Sequence, residues 1–179
     1  MSAVISPGQS PSPPSAASES PCSQQGAALE GAATWLAAYA NQTRTLLGPP
    51  LREPNDTQQK AYDAFNEHAE QFKKIAPAIA DPSFAAALAG LKSAYEKGVH
   101  VDQFVVEYAE SLGAFRSETQ TGEDDPLEAL PPNANNHAKA LQEETLKRAG
   151  VLREALGELW MVLGAAKSTL ADVKRGCRP

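Results

Sequence analysis

Nowhere in this sequence does an apolar run reach the ~18 residues that a membrane-crossing helix needs, which excludes such a span. The opening residues, MSAVISPGQSPSPP, carry no basic stretch followed by an apolar core, so no cleavable secretory signal is expected in the chain as given. The compartment that follows is cytoplasmic, with export by a route without a cleavable signal as the alternative. Basic residues never cluster, and the net charge is -6, so nucleic acid and anionic lipid are repelled as partners. Aromatic residues are only 6% of the chain. Cysteine is limited to Cys22 and Cys177. They stand at the two ends of the patterned region, and free thiols at frayed termini are expected unless the first and last helices bring those ends together.

Motifs of catalysis and cofactor binding are scarce too. There is no glycine-rich phosphate loop, no G-x-S-x-G elbow and no H-E-x-x-H. His68, His100 and His137 lie far apart without acid or cysteine partners at ligand spacing, so they read as surface histidines, and neither a metal nor another cofactor is called for. Glu107 and Glu110 are three residues apart, but both are expected in water, outside any site where they could act as acid and base. The two cysteines have no neighbouring base to activate them. Intrinsic catalysis is therefore not expected.

What the chain does have is helical periodicity, and 179 residues give room for one core. Residues 1–22 are Ser, Pro, Ala and Gly with almost nothing to bury, and they predict a disordered head. Residues 23–176 predict a single all-α domain, an antiparallel bundle of about five helices. The first helix, from Ser23 to Leu47, carries Leu29, Ala32, Leu36, Tyr39, Thr43 and Leu46 in alternating steps of three and four. Gly48 with two prolines stops it, the glycine as a left-handed cap. A second helix opens at Asn55 with Gln58 in capping-box spacing and runs through Tyr62, Phe65, Phe72 and Ala76 to a stop at Pro77. Asp81-Pro82 starts a third, closing at Gly98, and Asp102 caps a fourth that ends near Phe115. Residues 117–135 form a long acidic loop. The fifth helix, 136–176, is the longest, and its stripe is slightly out of register at Arg148 and Ala149.

In the acidic loop, Asp124 and Asp125, with Glu128 three residues further on, resemble the aspartate-rich magnesium motif of isoprenoid synthases, which are also all-helical. The resemblance implies a divalent-ion contact. Those enzymes need the acids on a helix wall facing a deep cavity and a second metal cluster. Here Pro126 interrupts the acids, so a solvated loop with a divalent ion or a partner as a loose contact is expected.

Binding remains. Trp35, Trp160 and Met161 widen the apolar arcs of their helices beyond one seam and are the candidate partner-binding residues. The resulting expectation is a protein-protein interaction module, whether adaptor, structural subunit or effector-like bundle, that meets another protein or a second copy of itself through a helical face. The alternative is a small helical enzyme or a carrier of an apolar ligand, built on an interior cavity or on the Asp124/Asp125 loop.

Overall fold

A computed structural model describes residues 20–119 and 125–177. The expected head therefore lies outside the described residues except for its last three positions. Among the described residues there are five α-helices and no strand. Helix α1 spans Pro21–Leu46, beginning two residues earlier than the periodicity places it. Ser20 is its cap, the hydroxyl accepting from the Ser23 amide at 3.1 Å, and Pro21 fills the first turn, where no amide is needed. Its end departs from expectation: Leu47 closes the helix, and Gly48 is not left-handed. A side chain at Gly48 would instead run into the Pro50 carbonyl oxygen.

The next strand of the bundle, expected as one helix, is two: α2, Asp56–Asp63, and α3, Phe65–Ile75. The Asn55–Gln58 capping box forms in both directions, at 2.8 and 2.9 Å. The break at Ala64 has no proline or glycine to mark it and no side-chain cap, and nothing in the sequence explains it. Pro77 ends the strand as expected, in a 3₁₀ turn over Ala76–Ala78.

The opposite correction applies further on. Asp81 caps a 3₁₀ turn, Pro82–Phe84, and from there one helix, α4, runs unbroken over Ala85–Thr119. Neither the stop at Gly98 nor the cap at Asp102 exists. Glycine inside a helix costs only about 1 kcal/mol, and no proline occurs between Pro82 and Pro126 to enforce a stop. Gly98 is there for space: a Cβ would lie 2.7 Å from the Phe65 ring. Helix α5, Asn136–Gly176, starts at Asn135, which caps Ala138 at 2.7 Å. Its stripe keeps its register, because Ala149 is buried while Arg148 turns outward to bond Glu107 and Glu144.

The strands run up, down, up and down. Antiparallel α4 and α5 share the largest contact, stepped by Gly90 against Ala166, Lys97 with Glu158, Glu107 with Arg148 and Glu118 with His137. Buried residues of α4 recur at alternating three- and four-residue spacing from Ala87 through Leu91, Ala94, Gly98, Val101, Val105, Tyr108 and Leu112 to Phe115. Thr145 to Leu170 do the same on α5. This is the seam of a left-handed bundle. Helix α1 closes the third side, with Leu29, Leu36 and Leu46 sealed.

The start of α1 and the residue that follows α5 also meet. Cys22 and Cys177 form a disulfide with Cα atoms 5.6 Å apart, so the expectation of free thiols is wrong. Helix α1 starts where antiparallel α5 ends, and Lys174, ion-paired with Glu30, lies over Gly26 beside the bridge.

Candidate functional site

The few aromatic rings are not spread out. Six of the eleven, Trp35, Tyr39, Tyr62, Phe65, Phe72 and Tyr95, gather under the short α2–α3 strand, in mutual contact at centroid distances of 4.6 to 6.5 Å. All of these rings but Trp35 are buried, and a cleft lies along each flank of the three-turn α3. Between α1 and α3 the cleft encloses about 360 Å³ and includes Trp35 with His68 stacked on it at 3.9 Å. Between α3 and α4 it is larger, about 570 Å³, with Phe72 and Tyr95 at its base and Ala69, Pro77 and Val99 along its sides. Glu70 and Lys73 of α3 and Lys92 and Glu96 of α4 rim it. Val99 is 46% exposed there, a large apolar side chain left in water.

Beneath the aromatic cluster lies a polar pair. The Tyr39 hydroxyl donates to Asp102 Oδ1 at 2.8 Å, and Tyr62 donates to Thr43 Oγ1 at 3.2 Å. Burial raises the Asp102 carboxyl above the ordinary aspartate range, with Asp63 adding to the shift and the Tyr39 hydrogen bond opposing it. Burial also raises Tyr39. The pair is internal and links α1 to α4; it presents no reactive atom to a cleft.

Of the residues singled out in the sequence, Trp35 lies partly buried in the α1–α3 cleft, and Met161 stands 72% exposed on the outer side of α5. Trp160 is half-buried in a separate cleft of about 380 Å³ between the end of α1 and the middle of α5. The three are not brought together. Asp124 lies outside the described residues. Asp125 is engaged by backbone, accepting from the Leu127 amide at 3.1 Å and the Leu51 amide at 3.4 Å, and thereby ties its loop to the one after α1. Glu128 is exposed, and its carbonyl oxygen, with that of Pro126, accepts from the Gln142 side chain. In this loop Pro126 is the buried residue, while Leu127 is 47% exposed.

Among the described residues no three His, Cys, Asp or Glu side chains converge to hold a metal ion. No helix of the structure is long and apolar enough to cross a membrane. Phe72, Tyr95 and Val99 were not legible as a cleft: the first two occupy stripe positions, as core residues do. Val99, outside the stripe, was the one available signal. Comparison with protein-family models, with curated proteins and with solved structures finds no match, so the chain's own geometry carries the functional reading.

Proposed function

We propose that the protein is an interaction module that receives an amphipathic helix of a partner protein in the cleft between α3 and α4. The observation that carries this is the form of that cleft: a base of Phe72 and Tyr95, exposed Val99 at the side, and a rim of two acids and two lysines. Three turns of α3 give it a length of about 16 Å, which matches three turns of an incoming helix. Apolar anchors in the centre and charges at the edge follow the usual division of an interface. A carrier of a small apolar ligand would use the same cleft, whose volume of about 570 Å³ lies in the usual range for such ligands. The disulfide favours an oxidising compartment over the cytoplasm, since such bridges are rare where thiols are kept reduced.

Photo-crosslinking tests the reading. With Val99 or Ala69 replaced by benzoylphenylalanine in the native host, a discrete protein adduct is expected at each position, and none with the same replacement at Lys139 on α5. Absence of an adduct at both cleft positions overturns it.

A further inference from the structure

The cleft around Trp160 combines an indole with two basic side chains. Arg44 and Arg153 line it with Leu47, Leu156, Gly157 and the indole, and no carboxylate does. That is unusual in a chain of net charge -6. Some basic groups find acids, as Lys73 does with Glu70, Lys97 with Glu158, and Arg148 with both Glu107 and Glu144. Neither Arg44 nor Arg153 makes an ion pair or side-chain hydrogen bond with any described residue. The sequence leaves them so, for no Asp or Glu lies three or four positions from either one on its helix. Arg44 sits in the last turn of α1, where a cation complements the helix dipole, but Arg153 is in mid-helix with no such partner. Both side chains are exposed, Trp160 is half-buried between the two helices, and a Cβ at Gly157 would meet nothing within 4 Å.

We infer that this cleft binds an acidic peptide segment of a partner protein, one apolar or aromatic side chain resting on Trp160 and flanking carboxylates bonding to Arg44 and Arg153. Guanidinium groups bind carboxylates through paired, charge-assisted hydrogen bonds, and tryptophan and arginine are both enriched among interface anchors. A volume of about 380 Å³ suits one or two side chains, not a whole helix. Open space over Gly157 lets the peptide backbone come close to α5. A nucleic-acid strand would also stack on an indole, but the overall negative charge opposes a polyanion far more than a short acidic segment. The cleft shares no lining residue with the α3–α4 cleft, so either contact stands without the other.

The test uses the full chain carrying Trp35→Phe, which leaves Trp160 as the only indole. Its emission is followed during titration with acetyl-Glu-Asp-Phe-Glu-Asp-amide and with the uncharged acetyl-Gln-Asn-Phe-Gln-Asn-amide. The acidic peptide is expected to saturate the signal at a concentration about tenfold lower, and to weaken as salt rises from about 0.05 to about 0.3 M. Arg44→Gln with Arg153→Gln should abolish that preference while lowering the melting temperature by at most a few degrees, through the loss of the Arg44 charge at the end of α1, both side chains being exposed. Equal binding of the two peptides, no saturation by either, or no effect of the double substitution overturns the inference. So does saturation by N-acetylglutamate at the peptide's own concentration, or by a thymidine pentanucleotide at a lower one.

Discussion

At the scale of single residues, the buried polar groups set the pH limits of the fold. All four tyrosines of the chain are perturbed upward by burial, Tyr62 and Tyr95 to about 12 and Tyr39 and Tyr108 also raised. The folded state holds these protons more firmly than the unfolded chain, so their contribution is complete below the ordinary tyrosine value of about 10 and is lost as pH rises through the folded values. Tyrosinate absorbance and far-ultraviolet circular dichroism should therefore change together on alkaline titration, above pH about 10; ionisation of all four rings with helicity intact would refute this. Asp102 works in the same sense lower on the scale. Its raised pKa means that stability falls as pH climbs from the ordinary aspartate value through the folded one. Asp102→Asn, which keeps an acceptor for Tyr39 without the charge, should leave the melting temperature at neutral pH unchanged or higher. Asp102→Ala should lower stability by about 1–2 kcal/mol by leaving the Tyr39 hydroxyl unpaired. Equal losses in the two variants would show that the charge itself is needed.

Among the elements, glycine separates two kinds of helix surface. Gly98 lies where α4 meets Phe65, and a Cβ there would come within 2.7 Å of the ring, whereas Gly150 and Gly164 on α5 face open space. Alanine improves helix propensity by about 1 kcal/mol at any of the three. At Gly98 the clash with a sealed ring should outweigh that gain, and Gly98→Ala is expected to destabilise by about 1–2 kcal/mol net. Gly150→Ala and Gly164→Ala should each stabilise by about 0.5–1 kcal/mol. Chemical denaturation curves of the three variants check this, and a stabilised Gly98→Ala would mean that α3 rides on α4 more loosely than the aromatic contacts require. The same residues show the limits of sequence reading. Glycine at 98 and an acid at 102 match a helix stop and a helix cap, yet here one makes room for Phe65 and the other accepts from Tyr39. Those partners lie more than thirty positions away, where local chemistry does not reach.

For the molecule as a whole, the Cys22–Cys177 bridge closes a loop with a sequence separation of 155, nearly the whole chain. Confining so long a segment in the unfolded state contributes up to about 5 kcal/mol by the chain-entropy account. Cys22→Ser with Cys177→Ser should lower unfolding free energy by about 3–5 kcal/mol, and reduction of the native protein should do the same. A loss below about 1 kcal/mol would show that Lys174, Glu30 and the surrounding packing hold the ends together unaided. The bridge also bears on the compartment, since a protein that needs it for stability is weakened wherever thiols are kept reduced.

The alternating three- and four-residue spacing of Leu29 to Leu46 and of Thr145 to Leu170 determined, with no neighbour in view, that these segments are helices and which side of each is buried. The caps at Asn55 and Asp81 and the stop at Pro77 were equally local, because a side-chain oxygen or a missing amide acts within one turn of the backbone. Tertiary structure alone decided that the third strand of the bundle runs unbroken through Gly98. It also decided that the two cysteines meet, and that Trp160 shares a cleft with Arg44 and Arg153. Each of these depends on contacts between residues distant along the chain, whose distances are fixed only when the helices pack.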